Sequence, residues 1–210
     1  MRSHLPDGLA GESFPGQSCI AALQSSYKDH GYGIFLYALA RTLRPLSCIE
    51  LGVFQGFSLL SVAAALRDNG HGTIVGFDLF EDCPYRHESH ENTRGNILRC
   101  GLRERAQLRH ADAFTAHDGV ESVDWLHVDL SNDGDKVQRL FVQWEGKVSQ
   151  LILFEGGGAE RDRVDWMLSH GKAPIAPAIK ALRRAHPAWR FVVLAPYPSM
   201  TLAIRAKACG

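Results

Sequence analysis

Hydrophobic residues along the chain alternate between short continuous runs and runs that recur every three to four positions, the signature of strands alternating with helices. From Gly33 to Leu43, apolar residues at Ile34, Leu36, Tyr37, Leu39, Ala40 and Leu43 mark one face of a helix. An apolar run then ends in Glu50-Leu51-Gly52, a turn reaches Gly56, a helical run to about Leu66 stops at Asn69-Gly70, and Thr73 to Phe77 forms a second strand ending at Asp78. The alternation continues with a helix from about Ser89 to Cys100, a strand Ala106–Arg109, a strand Trp125–Asp129, a helix over about Lys136–Trp144 and a strand Gln150–Phe154. A helix Ile175–Arg184 precedes two strands, Arg190–Leu194 and Met200–Ile204. Only five residues, Ala195 to Ser199, separate these two, too few for a crossover, so they must be antiparallel neighbours. The whole pattern predicts an α/β fold with a mostly parallel, doubly wound sheet. Residues 1–28 are rich in Gly, Ser and Pro and lack sustained periodicity before Cys19. They are expected to form an N-terminal arm or lid, with a short helix near Cys19–Tyr27, ahead of one domain over 29–210.

The turn between the first strand and its helix carries the most specific chemistry. Gly52 leaves no Cβ where the backbone passes close to a ligand, and Gly56 lets the turn close into a helix whose free N–H groups face the strand tips. Asp78, at the tip of the neighbouring strand, can accept hydrogen bonds from both hydroxyls of a ribose. A dinucleotide site would read G-x-G-x-x-G round a pyrophosphate, whereas this turn reads E-x-G-x-x-x-G. The acid before the first glycine suits a cationic amino group better than a phosphate.

Glu50-Leu51-Gly52-Val53-Phe54-Gln55-Gly56-Phe57-Ser58 followed by Asp78 resembles the cofactor site of the class I S-adenosylmethionine-dependent methyltransferases, especially their small-molecule O-methyltransferase branch. The resemblance covers about residues 30 to 206 and is strongest over 47 to 80. It implies a Rossmann-like, doubly wound sheet of seven strands with a C-terminal antiparallel hairpin strand. S-adenosylmethionine would be the cofactor, bound by Glu50, Gly52, Phe54, Gly56, Ser58, Asp78, Leu79, Asp112, Ala113 and Asp129, with Phe114 beside the adenine. Asp112 reads equally as a helix cap. The implied reaction is methyl transfer to a small-molecule acceptor, with a hydroxyl oxygen ahead of an amine. A domain that keeps the cofactor pocket without turnover and acts through a partner is the alternative, and a nicotinamide-dependent oxidoreductase is disfavoured by the glycine spacing.

The chain departs from that branch at the reacting centre. Where the branch has a histidine three residues after the strand-four aspartate, this chain has Asn132, which removes that base. Where strand five ends in two metal-binding groups, only Glu155 of Glu155-Gly156-Gly157-Gly158 carries a carboxylate. Asp129 and Glu155 can hold a Mg²⁺ with waters, but the missing second acid tilts the reading toward a metal-independent reaction. Asp129 is then a catalytic candidate, with His87 or His90 of the polar stretch Asp82–Glu91 as substitute bases and that stretch as part of an acceptor wall. Arg161 or Arg163 of Glu160–Trp166 can grip an acceptor carboxylate or phosphate, although alternating charges usually mark a solvated face.

Composition narrows the setting without changing the chemistry. The 210 residues are 45% hydrophobic and 22% charged, with 23 cationic and 23 acidic side chains and no net charge, so no broad field favours nucleic acid or an anionic membrane. Five cysteines with no C-x-x-C pair suit reduced thiols in a cytoplasm, and Cys48 reads as a core filler. No apolar run is long enough to span a bilayer and no basic-then-apolar leader is present. The partners expected are a small-molecule acceptor and, left open, further copies of the chain.

Overall fold

The computed structural model describes residues 12–84, 87–195 and 198–206. Seven strands, β1 (Ser47–Leu51), β2 (Thr73–Asp78), β3 (Ala106–His110), β4 (Val123–Val128), β5 (Val148–Glu155), β6 (Trp189–Leu194) and β7 (Met200–Arg205), form one sheet in the order β3-β2-β1-β4-β5-β7-β6. β1 to β5 run parallel, while β7 is antiparallel to both β5 and β6. The hairpin read from the sequence is present, and its second strand lies inside the sheet, so β6 rather than β7 forms the edge.

Helices α1 (Gln17–Ala21), α2 (Tyr32–Leu43), α3 (Phe57–Asn69), α4 (His90–Arg99), α5 (Gly134–Trp144), α6 (Asp165–Ser169) and α7 (Ile175–Ala185) complete the fold. Successive strand residues face opposite sides, which divides the core in two. Trp125 of β4 and Leu153 of β5 join α2 and α3 on one side, whereas Leu126, Val128 and Phe154 join α5 and α7 on the other. Every residue from Phe57 to Leu66 is buried, because α3 is covered by the sheet and by α2 together. Its own stripe is therefore apolar nearly all round.

The described part of the expected arm packs against the domain. Phe14, Ile20, Leu23 and Tyr27 are buried in the core, and Phe14 stacks on Tyr37 with ring centroids 4.3 Å apart. The expected reduced state of the thiols is corrected here. Cys19 of α1 and Cys100 at the end of α4 are joined in a disulfide, so cysteine usage no longer speaks for a cytoplasmic setting. An odd count without a short motif hid this, since the pairing spans 81 positions and only the fold brings the two together. Cys48 is buried as expected, and burial raises its thiol pKa well above the ordinary value. No described helix is long and apolar enough to cross a membrane.

Candidate active site

The residues singled out by the sequence converge where β1 and β4 lie side by side, the point at which crossovers diverge to opposite faces of the sheet. Gly52 leaves β1 with φ +85°, and a Cβ on it would run into the carbonyl of Asp129, which follows β4. Two backbone bonds tie these tips together, Gly52 N–H to Phe77 O and Asp129 N–H to Leu51 O, both 2.8 Å. The glycine is thus demanded by the adjoining strand tip, a closer constraint than the ligand approach inferred from the motif. Gly56 caps α3 at φ +89°, where the left-handed conformation itself favours glycine.

Asp78 organises the turn from the next strand tip. Its Oδ2 accepts from the amides of Val53 (2.6 Å) and Phe54 (3.0 Å), and its Oδ1 accepts from Phe80 N–H (2.7 Å). A carboxylate offers about four acceptor positions, so with three taken by backbone amides Asp78 keeps one open toward a ligand. Phe54 takes positive φ at the crest of this turn, and Leu79, which follows Asp78, is partly exposed.

Glu50 faces inward and is fully buried. Its Oε1 accepts from Ser58 Oγ (2.8 Å) and its Oε2 meets His127 Nδ1 (3.1 Å), so both oxygens serve the protein interior. Glu50 and His127 are register partners on β1 and β4, which places the ionisable pair on the α3 side of the sheet. The sequence pointed to Glu50 and Ser58 but not to His127, which lies within the largely apolar run of β4 and belongs to no motif.

The reacting centre lies at the tips of β4 and β5. Asp129 and Glu155 approach within hydrogen-bonding range, and the pKa of Asp129 is raised well above a normal carboxylate. Desolvation is the chief cause, followed by the charge of Glu155 and the bond between the two carboxyls, which needs one shared proton. Glu155 Oε1 accepts from Arg161 Nη2 at 2.5 Å and from Ser26 Oγ at 3.3 Å. Above them lies Tyr27, fully buried, its phenol pKa raised by burial and then by Asp129 and Glu155. The Tyr27 hydroxyl opposes the rise at Asp129 without making a well-formed hydrogen bond. Asn132 is buried beside Gly156 and the Arg161 stem, with no hydrogen-bond partner for its Oδ1.

Other expectations do not join this centre. His90 stands at the start of α4 with its ring edge-on to Phe80, 4.9 Å between centroids, and Phe80 also receives His110. His87 is exposed on the loop beside Glu88. Part of the expected acceptor wall, Tyr85 and Arg86, lies outside the described residues. Asp112 is exposed and its Oδ1 accepts from Phe114 N–H at 2.9 Å, which closes a local turn rather than capping a helix, since Thr115 is the N-cap of the short helix that follows; Ala113 is buried. Arg163 is exposed, whereas Arg161 is buried and grips a carboxylate of the protein itself.

A divalent ion fits this centre poorly. Among the described residues no three His, Cys, Asp or Glu side chains converge as a metal cluster. The Glu155 oxygen that a metal would need already holds a guanidinium, and the environment of Asp129 favours its proton.

Comparison with known proteins agrees with this arrangement. A family model described as a methyltransferase domain matches residues 49–151. Caffeoyl-CoA O-methyltransferase 1 of Eucalyptus globulus is 27% identical over 157 residues, covering 72% of this chain and 58% of that protein. The caffeoyl-CoA O-methyltransferase of Zinnia elegans is 25% identical over 184 residues, covering 84% and 67%. The chain therefore spans less than two thirds of the first of these relatives. Among solved structures, the O-methyltransferase of Bacillus cereus in complex with S-adenosylhomocysteine superposes with a TM-score of 0.69 at 17% identity, covering 95% of this chain and 94% of that one. The S-adenosylhomocysteine-bound methyltransferase of Podospora anserina gives 0.66 at 18% identity, with 99% and 91% covered. These two likenesses show a shared fold.

Proposed function

We propose that this chain is a class I S-adenosylmethionine-dependent methyltransferase that transfers a methyl group to a hydroxyl oxygen of a small molecule without a metal ion, a reading supported by the methyltransferase-domain match over residues 49–151 and the shared fold. The observation that carries the reading is the meeting of the Gly52 turn, Asp78 and the Asp129–Glu155 pair at one set of strand tips. S-adenosylmethionine, when bound, supplies a methyl carbon already activated by positive sulfur. The Gly52–Gly56 turn and the remaining acceptor position of Asp78 hold the nucleoside end, and Ser58, fixed by Glu50, lines the turn beneath it.

Asp129 is the base that the geometry supports. The acceptor hydroxyl gives its proton to the Asp129 carboxylate as its oxygen bonds to the methyl carbon, and the electron pair of the breaking carbon–sulfur bond leaves on sulfur. A raised pKa strengthens Asp129 as a base, at the cost of a smaller ionised fraction at low pH. Activity should therefore rise with pH through the elevated pKa of Asp129. Tyr27 and Ser26 close the centre from the N-terminal side, where exclusion of water strengthens each of these interactions. Positioning of this kind can supply about 7–11 kcal/mol in favourable intramolecular models.

Release of S-adenosylhomocysteine from S-adenosylmethionine over a panel of phenols, sugars and amines, with a chelator present, tests the reading. Turnover on hydroxyl acceptors is expected. Turnover confined to amines would make the chain an N-methyltransferase, and tight cofactor binding with no turnover on any acceptor would favour the partner-binding module.

A further inference from the structure

We propose that Arg161 is the resident cation of the reacting centre, a guanidinium standing where a divalent ion would otherwise be held. The inference rests on the methyltransferase reading for its consequence, though not for its test. The carboxylates of Asp129 and Glu155 meet at the tips of β4 and β5, and the amide oxygen of Asn132, buried without a partner, lies beside Gly156, the next residue after Glu155. Such a set is what a hard cation seeks. Here the cation is supplied by the chain. The Arg161 and Glu155 side chains are each only 9% exposed, and their bond is 2.5 Å.

The placement of Arg161 has a local cause. The backbone turns sharply through Gly156 (φ +88°) and Gly157 (φ +106°), and the N–H of Arg161 bonds to Gly158 O at 3.0 Å. The triple glycine thus folds a charged residue six positions beyond Glu155 back onto it. A Cβ at Gly156 would meet the Ile175 side chain, with Asn132 and the Arg161 stem close behind, and the positive φ itself favours glycine at this bend.

The charge arrangement then distinguishes the two carboxyls by their partners: the guanidinium is fixed on Glu155, and Asp129, with no such cation among its described contacts, is the one left to face an acceptor. An arginine cannot lend or lose a proton. A metal bound across the same oxygens would ionise the acceptor hydroxyl directly, as bound zinc does to water. Without one, Asp129 must do so alone, which favours phenol-like acceptors, with a pKa of about 10, over alcohols nearer that of water at about 15.7. The fixed guanidinium therefore deepens the proposed activity by pointing to an acidic hydroxyl as acceptor.

Electron spin resonance of free Mn²⁺ tests this directly and requires neither cofactor nor acceptor. The wild-type chain should show no saturable Mn²⁺ site at millimolar ion. Arg161→Gln, which frees the Glu155 oxygen beside Asp129, should bind Mn²⁺ at least about tenfold more tightly, and the added substitution Glu155→Gln should abolish that gain. Arg161→Lys, which keeps the charge, should stay free of metal, an outcome that a purely structural arginine would not produce. Arg161→Met preserves the packing of the stem and serves if Arg161→Gln does not fold. Saturable binding to the wild type that Asp129→Asn removes overturns the proposal. So does a folded, charge-free variant that binds Mn²⁺ no better than the wild type. Failure of the wild type to bind S-adenosylhomocysteine would instead overturn the methyltransferase reading and leave the Mn²⁺ result standing.

Discussion

Asp78 shows how a residue can be identified correctly while its work is only half legible. Its position after a strand signalled a ribose contact, but the three backbone amides it accepts from depend on a positive-φ turn that no sequence pattern displays. Asp78→Ala should therefore weaken S-adenosylhomocysteine binding by about 1.5–3 kcal/mol and also destabilise the fold, because three N–H groups lose their partner. Calorimetry alongside thermal unfolding separates the two effects, and a mutant with unchanged affinity would remove Asp78 from the site. Asp129 makes a second prediction through linkage. Its folded pKa lies above the unfolded value of about 3.9, so the stabilising protonated form is fully present below about pH 4 and is lost as pH rises through the folded pKa. Asp129→Asn mimics the protonated carboxyl, and its melting temperature relative to wild type should climb from pH 4 to pH 8. A difference that stays constant across that range would mean that Asp129 carries no shifted pKa. Tyr27 and Arg161 were the residues least legible in advance. The first sat in a segment without periodicity, and the second was masked by the alternating charges around it until the glycine bend folded it inward.

At the scale of elements, the β1–α3 turn and the N-terminal segment carry the most constraint. The turn is legible because glycine is required there for backbone reasons, and Gly52→Ala should cost at least about 1–3 kcal/mol of strain before its Cβ displaces Asp129. Urea denaturation should show the loss, and cofactor binding should fall with it. Normal stability and affinity in this mutant would mean that the two strand tips are looser than described. The N-terminal segment was harder to read, since α1 is five residues long and its burial depends on partners far along the chain. Its covalent anchor makes a count that can be checked. Unfolding without reductant should expose three thiols, the five cysteines less Cys19 and Cys100, and five would refute the bond. Closing a loop of 81 residues is worth about 4–5 kcal/mol in the chain-entropy model, so reduction should lower the denaturation midpoint markedly.

At the scale of the molecule, all seven strands and the five long helices fall within a few residues of where the hydrophobic pattern placed them. Periodicity reports burial, and in a doubly wound sheet burial is nearly the whole determinant of element type. What periodicity does not carry is lateral order. The insertion of β7 between β5 and β6, the Glu50–His127 pairing across β1 and β4, and the placement of Arg161 on Glu155 all arise from contacts between segments distant in sequence. The site is therefore most legible in its contiguous cofactor turn and least in its reacting centre. The central claim is that this sheet binds S-adenosylmethionine at the tips of β1, β2 and β4. Calorimetric titration of the purified chain with S-adenosylhomocysteine, in the presence of a chelator and beside a parallel titration with NAD, tests it most directly. The account predicts saturable, one-to-one binding of S-adenosylhomocysteine that the chelator leaves unchanged and no binding of NAD, whereas binding of NAD without S-adenosylhomocysteine, or of neither, would contradict it.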